Sequence, residues 1–193
     1  MYAFLLSTAV IFVAELGDKS QLMAMTFATR YRARDVILAI TAATAIVHLA
    51  SVGIGYWIGT AFEEYQNWIA IGAGIAFLVF GAWTLRGDEL TEEEASKARK
   101  ATGTALLAVG TAFFLAELGD KTMLATITLA TQEGWFGTWI GSTVGMVAAD
   151  ALAIGVGAVL GRKLPEKTIK IGAAVLFFLF GLILIAEGLG WIG

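Results

Sequence analysis

The chain has no cysteine, one proline and a single histidine, and only 15% of its 193 residues are charged. Without cysteine it can form neither a disulfide framework nor a thiolate metal site. One histidine cannot supply the pair that a zinc hydrolase motif places on a helix, which argues against an intramembrane metalloprotease. The chain also lacks an ATP-binding P-loop, which argues against a primary pump.

Long apolar runs take the place of the missing charge, since 58% of the residues are hydrophobic. Six segments reach or approach the roughly 20 residues that a helix needs to cross the hydrocarbon core. They span residues 3–29, 36–60, 67–85, 103–131, 137–161 and 168–190. Because backbone polar groups cannot be left open to lipid, the sequence predicts an all-α integral membrane protein with six transmembrane helices. The first segment lacks a basic region before it, so we expect a permanent helix and not a cleaved signal.

The basic residues lie on one side of this predicted bundle. Lys19 and Lys121 lie deep inside apolar segments, and the other 11 of the 13 lie between segments or, for Lys170, at the start of the sixth, in each case after the first, third or fifth segment. They are Arg30, Arg32, Arg34, Arg86, Lys97, Arg99, Lys100, Arg162, Lys163, Lys167 and Lys170. By the positive-inside rule, both termini are predicted to be extracytoplasmic, and the connections that carry these residues are predicted to be cytoplasmic.

The longest polar stretch runs from Arg86 to Lys100, between the third and fourth segments. Thr91 and Glu94 match a capping box, which predicts a short surface helix. An acidic antechamber that collects cations is the alternative. The sequence therefore predicts a first three-helix repeat at 1–86, a cytoplasmic linker at 87–102 and a second three-helix repeat at 103–193.

Two copies of one charged motif lie inside the first and fourth apolar segments. Residues 15–20 read Glu-Leu-Gly-Asp-Lys-Ser, and residues 117–122 read Glu-Leu-Gly-Asp-Lys-Thr. Charged side chains at the centre of a membrane helix are costly and normally face a cavity or a partner. Three helices per repeat give the second repeat the opposite orientation, as in many secondary transporters. We therefore expect the two motifs to face each other near the bilayer midplane.

The acids of the motifs are candidate metal ligands. On a continuous helix Glu15 and Asp18 would share a face, and so would Glu117 and Asp120. Four carboxylates around one point suit a hard divalent cation such as Mn²⁺, Ca²⁺ or Mg²⁺. The structural alternative is a set of ion pairs that holds the bundle together, but buried pairs are poor stabilisers once desolvation is counted.

Four further side chains flank these acids. Lys19 and Lys121 lie four residues after the glutamates, and we expect each to pair with its own glutamate and balance charge. Gln21 and Met123 occupy equivalent positions and are candidate carbonyl and thioether ligands, although a methionine in a membrane helix often only packs. A thioether would favour Mn²⁺ over Ca²⁺ modestly.

Two more polar residues occupy equivalent positions in the second and fifth segments, His48 and Asp150. Asp150 is a candidate proton carrier or outer ligand because it is an acid inside the membrane. His48 could titrate near neutral pH or be a hydrogen-bonded structural residue. Gly17 and Gly119 could loosen the helix between the acids or allow close helix packing, and packing is the preferred interpretation.

The net charge of the two motifs predicts which ions can neutralise the site. Four carboxylates contribute −4 and two lysines contribute +2, so the empty deprotonated site carries −2. One divalent cation or two protons would cancel that charge. A carrier that changes conformation mainly when it is loaded performs obligatory exchange, so the sequence predicts competition between the cation and protons.

The doubled motif resembles the transmembrane protein 165 family of Mn/Ca cation–proton antiporters, within the lysine-exporter superfamily. Its signature Glu-x-Gly-Asp-[Lys/Arg]-[Ser/Thr] matches both copies in full. The resemblance implies export of Mn²⁺, or alternatively Ca²⁺, from the cytoplasm across a bacterial inner membrane, with Glu15, Asp18, Glu117 and Asp120 as ligands. It implies no resident cofactor and no nucleic-acid partner, and it allows a homo-oligomer. A passive cation channel or a basic amino-acid exporter are the alternatives.

Overall fold

The computed structural model describes residues 1–86, 92, 96, 98, 102–160 and 166–192. Every regular element within this part of the chain is helical. The α-helices are α1 (Tyr2–Glu15), α2 (Lys19–Ala28), α3 (Ala33–Ala61), α4 (Gln66–Arg86), α5 (Ala105–Glu117), α6 (Lys121–Gln132), α7 (Trp135–Leu160) and α8 (Glu166–Gly188). A 3₁₀ turn, Glu63–Tyr65, joins α3 to α4.

Four of the six predicted segments are single long helices, namely α3, α4, α7 and α8. Their ends agree with the sequence-based bounds to within three residues. Four stretches of the described chain are long and apolar enough to cross a membrane: Ala33–Ala61, Glu63–Arg86, Trp135–Gly157 and Lys170–Gly188. Each coincides with one of these helices or lies within it, except that the second also includes the 3₁₀ turn before α4.

The other two predicted segments are not continuous helices, and this part of the prediction is wrong. Segment 3–29 is divided into α1 and α2, and segment 103–131 is divided into α5 and α6. Both breaks fall inside the charged motif. The helices before the breaks are apolar but short, with 14 residues in α1 and 13 in α5.

The two halves of the chain pack chiefly on each other. α1 packs on α7, and the equivalent helix of the second half, α5, packs on α3. The contact of α2 with α7 likewise corresponds to that of α6 with α3. The most extensive contact joins α4 to α8. There the ring centroids of Phe177 and Phe180 lie 5.8 and 6.2 Å from the ring centroid of Phe77.

The predicted linker helix cannot be compared with the structure. Its capping box, Thr91 and Glu94, and its basic residues Lys97, Arg99 and Lys100 lie outside the described residues. The linker and the repeat boundaries at 86 and 102 stay predictions.

Candidate cation site

The first motif forms a tight turn that ends α1 and begins α2. Leu16 has φ −61° and ψ 122°, and Gly17 has φ 76°. The Asp18 N–H donates to the Glu15 carbonyl oxygen at 3.1 Å. These angles and this hydrogen bond match a type II β-turn, whose third position has a positive φ that glycine adopts without steric cost.

The second motif repeats this turn almost angle for angle. Leu118 has φ −66° and ψ 113°, Gly119 has φ 79°, and the Asp120 N–H donates to the Glu117 carbonyl oxygen at 3.2 Å. The packing interpretation of this glycine is wrong, because a Cβ at Gly119 would meet no atom within 4 Å. Its backbone conformation is what requires glycine.

The turns also correct the expected placement of the acids. Glu15 is the last residue of α1, whereas Asp18 caps α2 and accepts a long hydrogen bond from the Ser20 N–H at 3.5 Å. The two acids therefore do not share the face of one helix. They lie on either side of a helix break, where backbone groups at both helix ends lack their intrahelical partners.

A hydroxyl from the start of the following helix holds each glutamate. The Ser20 hydroxyl donates to Glu15, and the Thr122 hydroxyl donates to Glu117 at 2.8 Å. Sequence reasoning missed this role of the Ser/Thr position. The detectable signal was a hydroxyl two residues after an Asp N-cap, where a turn brings it back towards the preceding helix end.

Gln21 and Met123 hold the turns themselves. Gln21 Oε1 accepts from the Gly17 N–H at 2.8 Å, and Met123 Sδ accepts from the Gly119 N–H at 3.2 Å. Gln21 also donates from Nε2 to the Ala149 carbonyl at 2.8 Å, which ties the first turn to α7. Whether either side chain also binds a cation stays a prediction. An amide oxygen keeps a second lone pair for that purpose.

A buried ion pair joins the two motifs. The Lys121 ammonium contacts Asp18 Oδ1, and the two side chains are only 4% and 1% exposed. The expected pairing of Lys121 with Glu117 is therefore wrong. The turn places Lys121 at the start of α6, from where it reaches the other motif, while Glu117 is held by a hydroxyl. Lys19 is half-buried, and its positive charge acts on Glu117.

The remaining acids share one electrostatic environment. Glu15 is fully buried, and the negative charges that act on it belong to Glu117, Asp150 and Asp120. The positive charge that acts on it belongs to Lys121. Glu117 is in turn acted on by Asp120 and Asp150. The intramembrane acid of α7 thus belongs to the same cluster of charges as the motifs.

Several buried polar side-chain atoms have no hydrogen-bond partner within the described chain. Among them are Oε2 of Glu15, both carboxylate oxygens of Asp150 and both ring nitrogens of His48. No three His, Cys, Asp or Glu side chains of the described residues lie close enough together to hold a metal ion. In this conformation the charges of the motif acids act on one another. The positively charged group that contacts one of them is the Lys121 ammonium.

A small cavity opens beside the ion pair. It has a volume of about 10 Å³, which is room for about one water molecule. Asp18 and Lys121 line it together with Trp83, Thr84 and Lys170. Since Thr84 lies near the end of α4 and Lys170 lies near the start of α8, the cavity lies towards the side of the molecule where α4 ends.

Known proteins are similar to this chain over nearly its whole length. The family described as divalent cation/proton antiporter GDT1 matches residues 3–92 and 105–191, so each matched stretch contains one motif. A putative manganese exporter from Vibrio cholerae is 32% identical over 189 residues, which cover 94% of this chain and 90% of that protein.

Two further relatives extend the similarity to other organisms. GDT1-like protein sll0615 from Synechocystis is 30% identical over 94% of this chain and 95% of its own length. The divalent cation/proton antiporter GDT1 of Saccharomyces cerevisiae is 25% identical over 96% of this chain and 84% of its own length. No solved structure matches the chain significantly.

Proposed function

Because the chain belongs to the divalent cation/proton antiporter GDT1 family, we propose that it is a secondary transporter that exports a divalent cation from the cytoplasm in exchange for protons. The observation that carries this proposal is the buried ion pair between Asp18 and Lys121, which joins two acidic motifs at two helix breaks. Such discontinuous helices form the substrate sites of many transporters.

Manganese is the first candidate substrate and calcium is the second. The Vibrio cholerae relative is named a putative manganese exporter, which supports manganese. The yeast relative is named only for divalent cations. Carboxylate oxygens suit both ions, and a thioether contribution from Met123 would shift the preference towards manganese.

The proposed ligands are Glu15, Asp18, Glu117 and Asp120. All four are buried, with exposures of 6% or less, so their charge needs compensation. With both motif lysines counted, the deprotonated site carries −2. One divalent cation or two protons cancel this charge, which gives the carrier two neutral loaded states and supports exchange of one for the other.

Lys121 acts in this proposal as a tethered cation. In the absence of metal its ammonium group pairs with the Asp18 carboxylate, so an incoming cation must displace the ammonium group. Displacement frees a carboxylate to bind the ion and releases the link between α2 and α6. Loading would then change the contact between the two halves, which is what a carrier needs in order to switch sides.

The proposed architecture has six spans in two inverted repeats, with α1 and α2 forming the first broken span and α5 and α6 forming the fourth. Two turns of the same type support it, as do the reciprocal contacts of α1 with α7 and of α5 with α3. We place both termini outside the cytoplasm, the 87–102 linker inside it, and the protein in a bacterial inner membrane.

Four other residues have supporting roles in the proposal. Gln21 and Met123 hold the turns and offer one further ligand atom each. Asp150 contributes negative charge beside Glu15 and is a candidate proton carrier. His48 is a second candidate, since both of its nitrogens are buried without a partner in the described chain.

Uptake by proteoliposomes tests this function. Manganese and calcium are added in competition, with and without an imposed pH gradient, to wild-type protein and to the Asp120→Asn variant as the matched control. We expect manganese uptake that is accelerated by the gradient and lost in the variant. Uptake that is insensitive to the gradient would contradict exchange and make a passive channel the better explanation.

A further inference from the structure

Most hydroxyl groups in the described helices are satisfied by their own helix. The side chain donates to the carbonyl one turn earlier, at 2.7 or 2.8 Å. Examples are the pairs Thr8–Phe4, Thr41–Ile37, Ser51–Val47 and Thr126–Thr122. Ser7 on α1, Thr84 on α4 and Thr138 on α7 break this rule. All three are buried, and none of the three hydroxyls has a partner in the described chain. Thr84 lines the small cavity beside the ion pair, whereas Ser7 and Thr138 are fully buried away from that cavity.

These two hydroxyls lie beside the same helix contact. α1 and α7 touch where Gly137 and Gly145 face α1, and a Cβ at Gly137 would lie 2.9 Å from the Ala3 Cβ. Ser7 is one turn beyond Ala3, and Thr138 follows Gly137 directly. One turn further along α7, Ser142 is also fully buried and donates to the Trp139 carbonyl at 3.1 Å.

The equivalent positions of the other half are apolar. A shift of 102 residues relates Ser7 to Val109, Thr138 to Val36 and Ser142 to Ile40. These three apolar residues are also fully buried and belong to the main hydrophobic core. We call the end of the bundle where α1 and α7 begin the outer half, and the end where α3 and α5 begin the inner half. At these three pairs of equivalent positions the outer half thus has hydroxyl groups and the inner half has hydrocarbon side chains.

A buried hydroxyl without a partner is costly, by about 1 to 3 kcal/mol. Proteins usually avoid this cost by placing an ordered water molecule beside the group. A hydroxyl both donates and accepts, so several of them can support a connected chain of water molecules. Valine and isoleucine offer no such contact and exclude water.

We propose that Ser7, Thr138 and Ser142 line a water-filled path in the outer half of the bundle, by which protons reach the motif acids, while Val36, Ile40 and Val109 keep the equivalent stretch of the inner half dry. This inference rests on the proposed exchange of a cation for protons. Protons fit the path because its lining is fully buried and neutral. A divalent cation prefers carboxylate oxygens and would need a wider opening.

Thiol accessibility tests the water without relying on transport. The chain has no cysteine, so the wild-type protein should not be labelled and is the negative control. Ser7→Cys and Thr138→Cys are compared with Val109→Cys and Val36→Cys in metal-free proteoliposomes. Each is treated with Ag⁺, then denatured and labelled with a fluorescent maleimide. We expect Ag⁺ to protect the first two thiols and to leave the second two open to labelling. Equal protection of all four, or no protection of the first two, would overturn the path.

A transport measurement tests whether the water-filled path supplies protons. The double variant Ser7→Val/Thr138→Val loses no hydrogen bond of the described structure, so its unfolding temperature should equal or exceed that of the wild type. Proton-driven manganese uptake should fall at least about tenfold, which corresponds to about 1.4 kcal/mol in the barrier. Thr41→Val, which loses only a bond to its own helix, is the control and should keep its rate.

The two proposals fail in distinguishable ways. A stable double variant that transports at the wild-type rate would overturn the path and leave the exchange function intact. Absence of manganese transport by the wild-type protein would overturn the exchange function, and the proton role of the path with it. The pattern of thiol protection would then still decide whether the outer half holds water.

Discussion

Replacing Lys121 with glutamine removes the cation that now pairs with Asp18. Both side chains are at least 96% buried, so Lys121→Gln leaves a carboxylate uncompensated inside the bundle. Removing one partner of a buried pair typically costs about 3 to 5 kcal/mol. For a chain of this size that lowers the unfolding temperature by on the order of 10 °C. The metal-free variant should therefore unfold well below the wild type.

Manganese should reverse much of this loss. In the wild type an entering cation must displace the ammonium from Asp18, whereas in Lys121→Gln the carboxylate is already vacant. The variant should therefore bind the cation more tightly. A relief of about 3 kcal/mol would correspond to roughly two orders of magnitude in dissociation constant. Because a ligand of the folded state raises its stability by mass action, manganese should raise the unfolding temperature of the variant more than that of the wild type.

Thermal unfolding in detergent, with and without manganese, measures both effects. Asp18→Asn and the double variant Asp18→Asn/Lys121→Gln complete a double-mutant cycle that isolates the pair from other contacts. The double variant should be more stable than the sum of the two single losses implies. If manganese raises the unfolding temperatures of the wild type and Lys121→Gln equally, the lysine and the metal do not compete for one carboxylate, and the displacement step is refuted.

Further predictions concern the ligands, the turns and the topology. Asp120→Asn and Glu117→Gln should each abolish manganese uptake by protein that still inserts and folds, and a wild-type rate in proteoliposomes would remove that residue from the site. Gly17→Ala and Gly119→Ala should each destabilise the protein by roughly 1 to 2 kcal/mol in thermal unfolding, because the turn holds these residues at positive φ; unchanged stability would contradict the turn. Met123→Ala should alter the preference for manganese over calcium in competition uptake, and an unaltered preference would restrict the thioether to holding its turn. A tag at either terminus should react with an impermeant reagent from the extracytoplasmic side and a tag in the linker from the cytoplasm, whereas cytoplasmic termini would overturn the six-span topology.

Long helices could be predicted from the sequence because hydrophobic length is a local property. The bounds of α3 and α7 follow from uninterrupted apolar runs and agree with the structure to within three residues. The family could also be inferred, since two complete copies of the motif at equivalent positions identify it, and the match over residues 3–92 and 105–191 confirms that inference.

The helix breaks were harder to predict because an apolar run hides them. Gly17 and Gly119 lie among residues that favour a membrane helix, and glycine is frequent in such helices for packing alone. The Gly-Asp pair, with Ser or Thr two residues after the Asp, was a signal for a turn and a helix cap. The length of the apolar run favours an unbroken helix instead, but the structure has the turn.

The ion pair between the motifs could not be read from spacing. Lys121 is four residues from Glu117, which on a continuous helix favours pairing. The turn removes that geometry, and contact with Asp18 depends on how α2 and α6 meet across the two halves. Such a contact is tertiary, so no local rule predicts it. The unequal lining of the two halves likewise became visible only once burial at Ser7 and Val109 could be compared.

The central claim is that one turnover moves a cation and protons in opposite directions. Proteoliposomes with a pH-sensitive dye trapped inside, no imposed pH gradient and the membrane potential clamped by potassium and valinomycin measure this directly. Adding manganese outside should drive protons out and raise the internal pH, in proportion to manganese entry and not with Asp120→Asn. Manganese entry with a constant internal pH would contradict exchange.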